Sequence, residues 1–290
     1  MRTALVFGGT GQIGAPLLPL LHDAGWQVVA VSREPRPDQP GVRWLTGGFD
    51  HCDDLPTRVD AIFSLGPLDR FAAWYARGDV QTPRVIAFGS TSVDTKVASA
   101  DAYERDLVHR LQAGEASVLA TARERGAAAT LLRPTLVYGA GRDQTLTRIA
   151  AIAGKLGFFV LPGGATGRRQ PVHVEDLASA ALAVVDAQAT AGRAYALPGG
   201  ETLPYRDMVA RTLAAMAPPA RLIEVPSAVF RGALWLARLA GRMGGLSDAA
   251  IDRMRQDLVF DAASARTDLG YAPRPPQPGP RALARARAAR

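Results

Sequence analysis

Cysteine is nearly absent from this chain. Cys52 is the one residue of its kind among 290, which excludes an internal disulfide and leaves no thiolate cluster for a metal. Histidine is scarce too, and His22, His51, His109 and His173 fall at spacings that suit no metal site. No run approaches the roughly eighteen apolar residues that would cross a bilayer. The first strand-like stretch begins at Thr3, which leaves no room for a signal peptide. Together these absences lead us to expect a cytoplasmic protein with no metal centre. What is present is a hydrophobic content of 48% over 290 residues, enough for one large domain or a large and a small one.

The charge is basic, with a formal net value of +7 and a pI of about 10.1. The arginines are spread along the chain rather than gathered into an aromatic-interleaved patch, so a nucleic-acid partner is not expected. Much of the excess lies in the tail Arg281 to Arg290, RALARARAAR, for which a solvated basic tail is the simplest reading.

The first fifteen residues, MRTALVFGGTGQIGA, carry the strongest local pattern. Thr3 to Phe7 has strand composition, Gly8, Gly11 and Gly14 stand at G-x-x-G-x-x-G spacing, and a helical pattern runs from Ala15 to Ala24. Gly8 permits the tight turn, Gly11 lets backbone N–H groups approach a phosphate, and Gly14 lets the helix pack close to the sheet. The helix N-terminus then offers unpaired donors and a positive dipole end to a pyrophosphate. A second strand, Gln27 to Val31, follows at βαβ distance. Where many dinucleotide folds place an acidic residue, this chain has Ser32 followed by Arg33. A hydroxyl and a cation suit a 2′-phosphate, which favours NADP(H) over NAD(H), while Arg33 stacked on adenine or turned to solvent is the competing reading.

Further strands are expected at Val42–Leu45, Ala61–Leu65, Arg84–Phe88 and Ala129–Leu132, with helices at Leu68–Arg77 and over 102–126. This alternation implies a parallel sheet covered on both faces. Beyond Gly139 the expected elements are helices Asp143–Leu156, Glu175–Ala187, Tyr205–Met216, Ser227–Met243 and Ser247–Asp257, with strands Phe158–Leu161, Gln170–Val174, Ala194–Leu197 and Arg221–Val225. On the helix Ser227–Met243, Arg231, Arg238 and Arg242 share a face while Phe230, Leu234, Trp235, Leu239 and Met243 largely occupy others. Such a helix ordinarily packs on its own domain, and a membrane-surface or partner-binding face is the alternative. The tryptophans at 26, 44, 74 and 235 are read as core or interface residues. We expect an α/β protein with a Rossmann-type doubly wound parallel sheet and a small α/β C-terminal substrate domain. Its boundaries are set at 1–140 for the dinucleotide-binding core, with 170–187 returning to it, 141–272 for the C-terminal region, and 273–290 for a Pro/Arg-rich tail.

Several segments together resemble the extended short-chain dehydrogenase/reductase superfamily, the nucleotide-sugar epimerase and dehydratase group. They are GGTGQIG at Gly8–Gly14, FGSTSV at Phe88–Val93, LLRPTLVYGAG at Leu131–Gly141, RQPVHVEDLA at Arg169–Ala178, YALPGGETLPYRDMV at Tyr195–Val209 and DLGYAP at Asp268–Pro273. The resemblance implies that Gly8, Gly11, Gln12, Ile13 and Gly14 hold the pyrophosphate and that Ser32 and Arg33 meet the adenosine end. By the same likeness, Leu65, Gly66 and Pro67 line the middle of the cofactor, and Ser90 and Thr91 bond the reacting oxygen. Arg169 matches an arginine that touches substrate phosphate, with a structural salt bridge to Glu175 and Asp176 as the competing role. A homodimer is compatible with this likeness.

The departure is at the chemistry. The family uses a tyrosine as acid or base, with a lysine four residues later on the same helix, and no Tyr-x-x-x-Lys occurs here. If Glu115 matches the glutamate that often follows the pair, Leu107 and Leu111 stand in its place. Tyr103 lies thirteen residues after Ser90 and is the other candidate acid, though Leu107 still leaves the lysine missing. The resulting expectation is an NAD(P)(H)-binding oxidoreductase or epimerase with a non-standard catalytic site. The alternative is a catalytically silent NADP-binding redox sensor or accessory subunit, as in the superfamily's atypical branch.

Overall fold

The computed structural model describes residues 1–239, 248–279 and 283. Strand β1 (Arg2–Phe7) leads through the glycine turn into helix α1 (Gly14–Asp23) and on to β2 (Trp26–Ser32) and β3 (Val42–Thr46). Next come β4 (Ala61–Ser64), α2 (Leu68–Arg77), β5 (Arg84–Phe88), the one-turn helix α3 (Ser92–Thr95), the long helix α4 (Ala102–Glu124) and β6 (Ala128–Pro134). The chain continues through β7 (Val137–Tyr138), α5 (Leu146–Leu156), β8 (Phe158–Pro162), β9 (Arg168–Arg169), β10 (Val172–His173), α6 (Val174–Asp186) and β11 (Arg193–Leu197). It ends with β12 (Leu203–Pro204), α7 (Tyr205–Ala214), β13 (Arg221–Val225), α8 (Ser227–Leu239), α9 (Asp248–Arg253) and α10 (Ala263–Leu269).

Seven strands form one sheet in the order β11-β6-β5-β4-β1-β2-β3, and every neighbouring pair is parallel. The central strands are buried on both faces, with Ala4, Leu5, Val6, Ala61, Ile62 and Phe63 wholly inaccessible. This is why they read as continuous apolar runs rather than alternations. Helix α2 shows the complementary pattern: Leu68, Phe71, Ala72, Trp74 and Tyr75 are buried at helical spacing and turn one stripe to the sheet. The strand order reverses between β1 and β4, creating the crevice outside the carboxyl ends where ligands bind in open α/β sheets.

The chain divides into two compact units. The first contains Met1–Thr135, Val174–Pro198 and Asp261–Pro273, and the second Leu136–His173, Gly199–Phe260 and the described residues from Arg274 onward. The segments returning to the first unit therefore differ from the single 170–187 return expected. Helix α10, which the sequence reading left without structure, supplies Asp268, which accepts hydrogen bonds from Arg193 and from the Tyr195 hydroxyl of β11, the latter at 2.7 Å. Tyr271 donates to the Pro198 carbonyl at 2.8 Å. These bonds tie residues 261–273 to the edge of the sheet. The second unit is built on Leu146, Ile149, Ala153, Leu161, Val209 and Leu213, with β8 and β13 paired in parallel.

Other expectations are corrected locally. The strand drawn over Gln170–Val174 is two short strands, β9 and β10, separated by Gln170 and Pro171; proline removes a ladder donor. Helix α5 starts at Leu146 rather than Asp143, because the Asp143 carboxylate accepts from the Thr145 and Thr147 backbone N–H groups at 3.1 and 3.0 Å and so belongs to the cap. Trp26 and Trp74 are core residues, but Trp235 is 59% exposed. The residues 240–243 of the expected helix from Ser227, Ser247, and all of the basic tail except Leu283 lie outside the described residues.

Arg84 opens β5 and is 5% exposed. Its Nη2 donates to the carbonyls of Val184 and Ala187 and to the Thr190 hydroxyl, so a buried cation closes the C-terminal end of α6, where the helix dipole is negative. Desolvation pushes its pKa below the ordinary guanidinium value. Arg84→Met removes the charged donor, although the Val184 and Ala187 carbonyls keep bonds from the Ala187 N–H and from Thr190, and is expected to lower the stability by about 1.5–3 kcal/mol, read as a reduced urea midpoint at unchanged slope.

Candidate cofactor and active site

Four segments gather at the carboxyl edge of the sheet because each directly follows a strand: the glycine turn after β1, Ser32–Arg33 at the end of β2, Leu65–Pro67 after β4, and Ser90–Thr91 after β5. Strands β5, β4, β1 and β2 are consecutive neighbours. The four segments are therefore adjacent along one edge, on both sides of the switch point.

The glycine turn is held by sterics. Gly8 has φ of +82°, and a Cβ there would stand 3.0 Å from the Leu65 carbonyl carbon. At Gly14 a Cβ would lie 2.3 Å from the Gly8 oxygen and 2.6 Å from the Gly9 Cα, which no shift of a flexible side chain relieves. Gly11 donates its N–H to the Gly8 carbonyl at 2.8 Å. Ile13 occupies the N-cap of α1 and makes no side-chain cap bond, which leaves the helix N-terminus open to an anion. The Gln12 Oε1 and the Ser64 Oγ are both buried and without a hydrogen-bond partner among the described residues. A glycine cradle too tight for a Cβ, an uncapped helix end and orphaned polar atoms beside it fit a dinucleotide pyrophosphate.

At the neighbouring positions, the buried Ser32 Oγ accepts the Glu34 N–H at 3.3 Å, and Arg33 is exposed. Leu65 donates its N–H to the Phe7 carbonyl at 3.0 Å. Gly66 lies under Phe49, whose ring a Cβ would meet at 3.1 Å, and Pro67 caps α2. Phe49 stacks on Phe7 at 4.8 Å between centroids, with Trp74 edge-on to Phe7 at 4.5 Å. This aromatic floor beneath the crevice mouth escaped the sequence reading, because Phe49 sits in a loop with no periodicity to mark it.

The two hydroxyls after β5 are not equivalent. Thr91 is buried, and its Oγ1 donates to the Pro134 carbonyl at 3.1 Å, so it braces the loop against β6. Ser90 is half-buried; its Oγ accepts the Ser92 N–H and contacts the Ser92 hydroxyl, both at 3.1 Å. Tyr103 is 70% exposed at the start of α4, its N–H bonded to the capping Asp101 carboxylate at 2.9 Å. The next residue, Glu104, is buried, accepting from the Ser99 hydroxyl at 2.7 Å and pairing with Lys96 at 3.1 Å. The sequence signal for this buried carboxylate is the D-x-x-E spacing of Asp101 and Glu104 at a helix start.

Farther along α4, Glu115 receives two parallel bonds from Arg133 of β6, Nε to Oε1 at 2.8 Å and Nη2 to Oε2. The bond from Glu115 raises the Arg133 pKa. With Glu115 so placed, Leu107 and Leu111 are half-buried positions one and two turns before it.

Arg169, in the second unit, is 6% exposed. Its guanidinium donates to the backbone carbonyls of Arg168 at 2.8 Å, Gln256 at 2.6 Å and Arg253 and lies over the Tyr205 ring. Those donors brace the 253–257 segment. No group of three or more His, Cys, Asp or Glu side chains suited to a metal occurs among the described residues, and none of their helices is long and apolar enough to cross a membrane.

A family model described as the NAD dependent epimerase/dehydratase family matches residues 78–197. The stretch from β5 to β11 is thus of the NAD-dependent epimerase/dehydratase type. The chain is 29% identical over 312 residues to the 2-alkyl-3-oxoalkanoate reductase of Stenotrophomonas maltophilia, covering 93% of this chain and 94% of the relative. Among solved structures, the epimerase Mth375 of Methanothermobacter thermautotrophicus superposes with a TM-score of 0.70 at 16% identity, covering 97% of this chain and 90% of that one. MoeE5, solved with UDP-glucose and NAD, gives 0.69 at 19% identity with 97% of each chain covered. These two likenesses establish the epimerase-type fold. The family's dinucleotide cofactor agrees with the cradle at Gly8–Gly14.

Two outcomes test this geometry. Gly14→Ala is expected to give insoluble or cofactor-incompetent protein, checked by expression and thermal melting. Arg133→Met strands the buried Glu115 carboxylate and is expected to cost about 3–5 kcal/mol; the double variant Arg133→Met with Glu115→Leu should recover most of that loss in the same denaturation assay.

Proposed function

We propose that this chain is a dinucleotide-dependent carbonyl reductase within the NAD-binding oxidoreductase and epimerase class of its family, acting on a 3-oxo acid. The observation that carries this reading is the end-to-end likeness to a protein named as a 2-alkyl-3-oxoalkanoate reductase, joined to the half-buried Ser90 hydroxyl that follows β5.

The bound cofactor supplies or accepts a hydride at the substrate carbon. Gly8, Gly11, Gln12, Ile13 and Gly14 hold its pyrophosphate, and Leu65, Gly66 and Pro67 border its middle. Ser90 donates to the carbonyl oxygen as negative charge develops there, and water delivers the proton that completes the alcohol. Thr91 positions that loop through its bond to Pro134. With leucine at 107 and 111, the acid catalysis of the usual pair, worth about 10²–10⁴-fold, is forgone. Alignment of the carbonyl against the cofactor supplies the remaining rate. Tyr103 is assigned no part in this reading because its ring is turned to solvent, and Arg169 is assigned a structural one.

Preference for NADP(H) is the finer part of the proposal. It rests on Arg33, exposed beside the buried Ser32, as a cation for the 2′-phosphate. Calorimetric titration with NAD⁺, NADH, NADP⁺ and NADPH is expected to show tightest binding of a phosphorylated form. Arg33→Ala should weaken that form about tenfold while leaving NADH unchanged. Ser90→Ala should lower kcat on a 3-oxo acid about 10²-fold without altering cofactor affinity, and Tyr103→Phe should leave both unchanged. Equal binding of NADH and NADPH overturns the preference, and binding of none of the four overturns the reductase reading.

A further inference from the structure

Near the adenosine end of the crevice one cation is held in place without a counter-charge. Arg36 lies four residues beyond the end of β2, is exposed, and sets its guanidinium carbon 5.5 Å from the centre of the Trp44 ring, within cation–π range. The indole is itself fixed. Trp44 stands in β3 opposite Ala30 of β2, and its backbone N–H donates to the Asp38 carboxylate at 2.7 Å. On the α1 side of the sheet the far edge of the ring reaches the glycine turn, where a Cβ on Gly9 would lie 3.3 Å from the indole and 3.4 Å from Leu18. Gln39 and Val42 exchange backbone bonds at 2.9 Å, so the loop that carries Arg36 is pinned to β3 as well.

Arg33 leaves β2 in a different direction. A Cβ on Gly48, just beyond β3, would lie 3.9 Å from its Cγ, so its side chain runs past the 47–48 turn while that of Arg36 lies over the indole beside Gly9. Among the described residues neither arginine is in an ion pair, although Glu34 and Asp38 share their loop. Two uncompensated guanidinium groups therefore border the carboxyl end of β2. The group of a dinucleotide that carries a dianionic charge at the adenosine end is the 2′-phosphate, and planar guanidinium donors suit its oxygens.

We propose that Arg36, seated on Trp44, is a second cation for the 2′-phosphate, an inference that rests on the chain's NADP(H) preference. An arginine gives up rotamer freedom when it meets a ligand, and the indole removes part of that loss beforehand. The test titrates the full chain by calorimetry with adenosine 2′,5′-bisphosphate and with adenosine 5′-monophosphate, which differ only in the 2′-phosphate and carry no nicotinamide. The unaltered chain is expected to bind the bisphosphate more tightly. Arg36→Ala should cut that margin about tenfold and leave the monophosphate unchanged, with Arg36→Lys keeping part of it. Trp44→Leu should reduce the margin about threefold, and Trp44→Phe, which keeps an aromatic face, should hold it. The Trp44 Nε1 has no hydrogen-bond partner among the described residues, so neither substitution strands an acceptor, and unchanged melting temperatures show that the variants remain folded.

Failure to bind either ligand, or equal binding of both, overturns this inference together with the NADP(H) preference. A margin that Arg33→Ala removes and Arg36→Ala leaves intact overturns this inference alone. Equal loss of both ligands in Arg36→Ala also overturns it, because Arg36 then shapes the loop instead of meeting the phosphate.

Discussion

The constraint on which the crevice depends is the contact between Gly14 and the backbone of Gly8 and Gly9, where no room exists for a single carbon atom. It draws the start of α1 against the end of β1, and the rest of the crevice depends on that approach. With α1 so near, its uncapped N-terminus faces the space outside β1 and β4. The neighbouring loops are fitted to it by similar steric limits, with Gly8 against Leu65 and Gly66 against Phe49. The open helix end at this edge is thus a property of backbone placement.

The parts of the fold set by local rules were readable from residue order. The glycine spacing, the doubly buried strands and helix Leu68–Arg77 all follow from periodicities and turn chemistry that act within a few residues, and the structure reproduces that helix at the same boundaries. What escaped were features made by distant partners. Helix α10 is short and weakly patterned, and its place comes from Asp268 reaching back to Arg193 and Tyr195. Glu104 is buried because Lys96 and Ser99 meet it.

The same division runs through the site. The glycine turn was legible because its demands are steric and sequential. The division of labour between Ser90 and Thr91 was not, since it depends on the Pro134 carbonyl of another strand. The absence of a tyrosine and lysine pair was visible as a missing motif, whereas the bond that holds Glu115 of α4 to Arg133 of β6 was not. Leucine at 107 and 111 leaves those two positions without a titratable group, while Tyr103 and Glu115 stand one turn to either side of them.

The first unit is assembled from three separated pieces of chain, the last of them Asp261–Pro273. During synthesis the sheet acquires its β11 edge only after the whole of residues 136–173 has been made, and the bonds to Asp268 form only after a further sixty or so residues. The nascent cofactor-binding unit therefore waits, incomplete and with an open strand edge, while most of its companion emerges from the ribosome. Such a chain depends on late, long-range closure, and a truncation that spares every residue of the glycine cradle would still release a sheet that has not been closed.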